Sequence, residues 1–246
     1  MFYLVKVSAL SIPKAQVINV CAEDTGWSPY SIIVEDASND HIDISGFNRD
    51  LLEEIFKKSK VKLNFVIKPW QRCLKEAVDG DVHIVLDAAS NEQRMKDYLL
   101  TNSIYRMTPA YIFHKSLNLK NLTSHELLKN TPICGQSGYT YTNFGIPNDI
   151  VKKLSKSLVR IIDLINVKRC SVGLTRMENL KQELSSFKDY ENIAYSKILD
   201  AKKEDFFWLI NKNFPFSTDL KEHIDREISL LKKSGFMSKL YLKYKL

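Results

Sequence analysis

The chain has 246 residues, 44% hydrophobic and 26% charged, with 3 Trp, 11 Tyr and 12 Phe. This composition excludes an intrinsically disordered chain, and the length suits one large domain or two smaller ones. The formal net charge of +7 does not mark a nucleic-acid binder: Lys57-Lys58, Lys152-Lys153, Lys202-Lys203 and Lys232-Lys233 sit beside apolar residues like solvated helix faces, and no zinc finger, homeodomain or RNA-binding aromatic pair accompanies them.

Residues 1–15, MFYLVKVSALSIPKA, carry a short apolar stretch broken by Lys6 and ending in Pro13-Lys14-Ala15. A secretory signal has a basic start, an unbroken apolar segment and small residues before the cut, so this segment matches only the back half of one. Export is the expectation and a plain N-terminal extension the alternative. The segment is too short and too charged to span a bilayer.

In chain order, Val17 to Ala22 reads as a strand, followed by a turn-rich loop through Trp27-Ser28-Pro29-Tyr30. Residues 47–58 place apolar side chains at 47, 51, 52, 55 and 56, which predicts a helix starting after Ser45-Gly46. Residues 61–67 alternate like a strand, 70–78 form a short helix ended by Asp79-Gly80, and 82–86 are a nearly all-apolar strand. Alternating strands and helices predict a parallel sheet covered on both faces.

A second unit follows. Residues 109–114 read as an extended crossing segment, 123–129 as a short helix and 131–135 as a strand. Residues 149–158 read as a lysine-rich helix, 159–162 as a strand, 163–168 as a short helix and 170–174 as a strand. The stretch Phe206 to Ile210, with helices over 217–233 and 235–243, has no partner there and is free to pack back on the first unit. Two crossings would then leave a cleft between the units, where ligands bind.

Four cysteines, Cys21, Cys73, Cys134 and Cys170, contain no CxxC pair, against a structural zinc or a thioredoxin-like motif. Their apolar surroundings suggest buried thiols. Cys134 and Cys170 fall in predicted neighbouring strands, so an oxidised pair is the alternative if the chain is exported.

The order WSPY, GFNRDLLEEIF, PWQRCLKEAVDGDVHIVLDAASNEQR, TPAYIF, GQSGYT, KRCSVGL and SGFMSKLYLKY resembles the bacterial extracellular solute-binding proteins of family 3, the amino-acid type that serves ABC transporters. The resemblance covers residues 17–244. It implies an α/β, two-lobed, type II periplasmic-binding-protein fold, each lobe a mostly parallel sheet flanked by helices, with the ligand cleft between them. Lobe one would comprise residues 16–108 and 200–246, and lobe two residues 109–199. It further implies a periplasmic monomer without cofactor, with an ABC permease or a membrane sensor as partner.

In that family an arginine after the third strand clamps the ligand's carboxylate, and Arg94 matches it. A guanidinium offers a planar fork of donors suited to a carboxylate. Ala88, Ala89 and Ser90 match the segment that meets the ligand's polar head. Trp27, Tyr30 and Trp70 match aromatic walls, on turns stiffened by Pro29 and Pro69. Arg72 resembles the PW-x-R pattern of one branch and would add a second positive charge. Gly138, Tyr139 and Thr140 match a lobe-two donor segment, although a tyrosine replaces the usual small hydroxyl residue. Ser137 in GQSGY lacks the closing glycine of a hydrolase nucleophile elbow.

One departure bears on the ligand. Family members commonly carry an aspartate after the second-lobe arginine that pairs with the ligand's ammonium; counting from Arg169, Arg176 stands there, and Ser171 occupies an earlier acidic position. The ammonium partner is then missing unless Glu178 or Asp205 reaches in. The expectation is a carboxylate or otherwise anionic solute with an aromatic or apolar body, because an ammonium beside an unpaired arginine in a dry cleft meets like-charge repulsion.

Two other classes share the fold. Cyclohexadienyl-type dehydratases need an acid or base near the leaving group, for which lobe one offers Asp87 and Glu92. His83 and His114 read as strand residues, and neither a catalytic pair nor metal-ligand spacing is evident. A solitary sensor or interaction protein with an altered site is the remaining class.

Overall fold

The computed structural model describes residues 16–36, 41–59, 61–180 and 190–246. The segment read as a signal remnant lies outside the described residues. Among the described residues the strands are, in chain order, β1 (Val17–Glu23), β2 (Ile32–Asp36), β3 (His41–Ser45), β4 (Lys62–Lys68), β5 (Ile84–Ala89), β6 (Tyr98–Leu100), β7 (Tyr105–Met107), β8 (Pro109–His114), β9 (Ile133–Gln136), β10 (Lys152–Ser155), β11 (Val172–Arg176), β12 (Ile193–Lys197) and β13 (Glu204–Asn211). The helices that carry the account are α1 (Phe47–Phe56), α2 (Trp70–Asp79), α3 (Glu92–Asp97), α4 (Ser124–Leu127), α5 (Leu158–Asn166), α6 (Ser217–Lys233) and α7 (Phe236–Tyr244).

The first sheet has the order β4-β1-β5-β13-β6, with β7 also on β13; the second has the order β10-β9-β11-β8-β12. Each is parallel at its centre, where helical crossovers connect strands, and gains antiparallel strands where the chain crosses between sheets. Thus β1 runs parallel to β4 and β5, whereas β13 returns antiparallel to β5, with Phe206 opposite Ala89 and Ile210 opposite Ile84. In the second sheet, β9, β10 and β11 are parallel and β8 lies antiparallel to β11 and β12. The chain leaves the first sheet after β7 and re-enters it with β13.

Local chemistry explains most of these elements. Helix α1 buries Phe47, Leu51, Leu52, Ile55 and Phe56, the stripe its spacing predicts. It starts at Gly46, whose φ of 108° and close approach exclude a side chain: a Cβ there would lie 2.8 Å from the Tyr30 carbonyl. Helix α2 ends on the left-handed Gly80. Helices α6 and α7 pack on each other and on α1.

Two expected elements are corrected. Residues 158–166 form one helix, not a strand followed by a short helix: Leu158, Ile161, Ile162, Leu164 and Ile165 make a buried stripe at helical spacing. Burial of each such side chain contributes roughly 2 kcal/mol, which outweighs the small helix penalty of β-branched residues. The expected helix over 149–158 is instead the edge strand β10, parallel to β9, with Lys152 and Lys153 exposed. The hairpin of β2 and β3 and the short strands β6, β7 and β12 were not legible in the pattern.

All four cysteines are oxidised, which corrects the expectation of buried thiols. Cys21 of β1 is bonded to Cys73 of α2, and Cys134 of β9 to Cys170. One bond ties a helix to the first sheet; the other ties the loop entering β11 to the second.

Candidate functional site

The C-terminal ends of β1 and β5 open toward the second sheet, and the side chains meeting there line a small cavity of about 20 Å³. Its walls are Glu23, Trp27, Trp70, Asp87, Ala89, Arg94, Tyr139, Thr140, Arg176 and Phe206. Ligand sites gather at the carboxyl ends of parallel strands, where loops can diverge.

Arg94 is placed by a local device. The Asn91 side chain caps α3 by accepting from the Arg94 backbone N–H at 2.7 Å. The Arg94 guanidinium donates to the Ala89 carbonyl at 2.6 Å and lies 5.1 Å from the centre of the Trp70 ring. It is 7% exposed and forms no ion pair among the described residues. Burial, then the charge of Arg176, lowers its pKa to about 10, so it stays cationic at neutral pH. A buried, uncompensated guanidinium is the strongest demand for an anion in the cavity.

Arg176 has a different role from the one expected. It ends β11, and its guanidinium reaches Glu204 of β13, with Nη2 2.8 Å and Nε 2.9 Å from Oε2. The same guanidinium donates to the Thr140 carbonyl at 2.9 Å and lies 4.9 Å from the Phe144 ring centre and 5.5 Å from that of Phe206. Its charge is therefore compensated from within. Glu178 and Asp205 do not supply a partner for an ammonium: Glu178 accepts from the Thr108 backbone and hydroxyl, and Asp205 pairs with Arg106.

Three acids the ligand expectation did not use line or border the cavity. Glu23 accepts from the Tyr139 hydroxyl at 2.6 Å. Burial pushes its carboxyl up to about 7, against the lowering effect of that hydrogen bond. Asp87 sits in the left-handed region, φ 61°, and accepts from Ser31, Asn48 and Tyr105. Burial raises its carboxyl to about 6, and its three donors hold a conformation that costs a side-chain-bearing residue roughly 1 kcal/mol. Glu204 completes the set. Its signal was readable: Glu204, Phe206 and Trp208 alternate along β13 and share its buried face.

Trp27, Trp70, Ala89, Arg94, Tyr139, Thr140 and Arg176 are thus brought together. Trp27 meets Tyr139 edge-on with centroids 5.4 Å apart and lies 5.7 Å from Phe206, forming an apolar wall. Gly138 sits beside the cavity, its carbonyl accepting from Trp70 Nε1 at 3.1 Å. The remaining residues lie elsewhere. Tyr30 stacks on Tyr105 at 3.6 Å in the core, because Gly46 and α1 hold its backbone beneath. Arg72 faces solvent and pairs with Glu76 one turn along α2. Ala88 is buried within β5 opposite Phe207, and Ser90 borders a surface depression with Asp200 and Lys203.

Among the described residues, no group of three or more His, Cys, Asp or Glu is placed to hold a metal, and no helix is long and apolar enough to cross a membrane. His83 accepts from the Asn19 backbone N–H at 2.9 Å and packs on Phe214, and His114 bonds Ser116, so neither faces the cavity.

Two helix-flanked mixed sheets facing each other across an arginine-bearing cavity define a type II binding-protein architecture. The chain belongs to the bacterial extracellular solute-binding proteins, family 3, whose model matches residues 18–246. Solved structures agree in fold. A substrate-binding protein of an ABC uptake transporter from Streptococcus pneumoniae with bound histidine is 17% identical, with 94% of this chain and 92% of that chain covered and a TM-score of 0.72. An ancestral amino-acid-binding protein, a precursor of cyclohexadienyl dehydratase, is 19% identical, with 93% and 94% covered and a TM-score of 0.71. A histidine kinase sensor domain with similarity to periplasmic binding proteins is 13% identical, with 94% and 96% covered and a TM-score of 0.74. Comparison with curated proteins gave no match.

Proposed function

We propose that the cavity binds a small carboxylate-bearing solute with a compact apolar or aromatic body, without chemical turnover. Residues 16–108 with 200–246 and residues 109–199 are read as the lobes that close on it. Arg94 carries this reading: it is buried, lies over Trp70 and forms no ion pair among the described residues, so a bound carboxylate would supply a direct partner for its charge. Trp27, Trp70, Tyr139 and Phe206 would hold the solute's body.

Charge balance favours a solute without an ammonium group. Glu204 already neutralises Arg176, and the solute's carboxylate would neutralise Arg94. An ammonium would then have to pair with Glu23, whose ionisation burial opposes, or with Asp87, whose oxygens already accept from Ser31, Asn48 and Tyr105. This keeps the expected ligand class but changes its reason, because Arg176 is compensated.

The two disulfides and the family's extracellular character support a periplasmic location. The partner is read as an ABC permease or a membrane sensor, and the protein as a monomer. A thermal-shift screen against amino acids, organic acids and aromatic acids, with hits taken to calorimetry, tests the reading. Binding that survives Arg94→Ala unchanged would move the clamp elsewhere and defeat it.

A further inference from the structure

Glu23 is a cavity acid bonded across the two sheets without a counter-charge. It ends β1, is 8% exposed and forms no ion pair among the described residues. The hydroxyl that donates to it belongs to Tyr139, in the chain around the second sheet, 116 residues away. Around it stand Asp24 and Thr25 on its own segment and Asp87 from β5, with Arg94 of α3 and the Arg176–Glu204 pair on the other walls of the cavity. Asp87 is a different case, since Ser31, Asn48 and Tyr105 all lie on the first-sheet side and would stay with it.

We propose that Glu23 and Tyr139 form a proton-gated latch: the closed cavity holds Glu23 as a neutral carboxylic acid, and its ionisation favours separation of the two sheets. The inference rests on the reading that the lobes close around a solute. A neutral carboxyl still accepts from the Tyr139 hydroxyl through its carbonyl oxygen and needs no counter-charge. An ionised one would be enclosed beside Asp24 and Asp87 with only the Tyr139 and Thr25 hydroxyls as donors, which is poor compensation for lost water. Separation would restore the water.

The raised Glu23 carboxyl, about 7 against an ordinary 4.5, sets the window. The closed form holds the proton more tightly than the open one. Closure is therefore fully supported below the open-form value and weakens as pH rises, by up to tenfold per pH unit across the window, before levelling off. An anionic solute would enter together with a proton.

Small-angle X-ray scattering of the full chain without solute, at about pH 5 and about pH 8 on the two sides of the titration, tests the latch. The wild type is expected to be mostly compact at the lower pH and more open at the higher. Glu23→Gln, which mimics the neutral acid, should remain compact at both; Tyr139→Phe should be more open at the lower pH. A wild-type distribution that is the same at both values, open or closed, overturns the latch, as does a Glu23→Gln variant that keeps the wild-type pH dependence. A Tyr139→Phe variant as compact as the wild type at the lower pH also overturns it. Because no solute is present, failure here leaves the binding reading intact, and failure of Arg94→Ala to weaken binding leaves the latch intact.

Discussion

Arg176 of β11 and Glu204 of β13 form a buried ion pair that spans the two sheets, Nη2 to Oε2 2.8 Å, with side-chain exposures of 3% and 0%. The pair is further satisfied by the Thr140 carbonyl on the arginine and the Asn143 amide on the glutamate. Breaking it from one side leaves a buried charge alone. Glu204→Gln is expected to lower unfolding free energy by about 3–5 kcal/mol, and the double replacement Arg176→Met with Glu204→Leu by much less. Urea denaturation of both variants checks this; equal losses would mean that packing, not charge, dominates.

Arg94→Ala should weaken a carboxylate solute by about 2–5 kcal/mol, the range for truncating one partner of a buried charge pair. Arg94→Lys should recover only part, since an ammonium lacks the planar fork. Calorimetry with the tightest carboxylate from the screen reads both.

The proposed charge balance separates solutes that differ by one group. A carboxylate such as phenylacetate should bind at least about tenfold more tightly than its amine-bearing counterpart phenylglycine, a difference of about 1.4 kcal/mol. The reverse preference would make Glu23 or Asp87 an ammonium partner and remove the case against amino acids.

Gly138 adopts φ +85°, and a Cβ there would lie 2.9 Å from Trp70 Cδ1 and 2.6 Å from Gln71 Nε2. Gly138→Ala is therefore expected to push Trp70 away, break its bond to the Gly138 carbonyl and cost about 1–3 kcal/mol in solute affinity. Titration calorimetry against the wild type is the check, and unchanged affinity would show that Trp70 does not need this contact.

The disulfides close loops of 52 and 36 residues in sequence separation. Loop-closure entropy predicts a contribution of about 4 kcal/mol each, reduced by any residual structure in the unfolded chain. Cys134→Ser with Cys170→Ser should lower the denaturation midpoint accordingly, and thiol titration of the denatured wild type should find free thiols only after a reductant is added.

The fold was legible where one periodicity dominated. The stripe of Leu51, Leu52, Ile55 and Phe56 specifies α1, and the apolar run before Asp87 specifies a central strand. The failures arose where two readings of the same residues competed. In LVRIIDLIN the β-branched residues favour a strand locally, and only the packing of Ile161 and Ile165 beneath the second sheet selects the helix. KKLS looks like a solvated helix face because an edge strand and a helix surface can both carry exposed lysines.

Residue chemistry along the chain, read with the family resemblance, led to the expectation that Arg94, Trp27 and Trp70 serve an anion and an apolar body and that Arg176 stands where family members commonly carry an acid. Tertiary structure alone decided which charges remain uncompensated. Glu204 is 28 residues from Arg176, and Tyr139 is 116 from Glu23, yet each meets its partner where the chain has crossed between sheets. The site's electrostatics depend on these distances and on the exclusion of water, and linear order encodes neither directly. Hence the sequence exposed an unusual arginine, while the folded chain paired it with Glu204 and left Arg94 and Glu23 without an ion pair among the described residues.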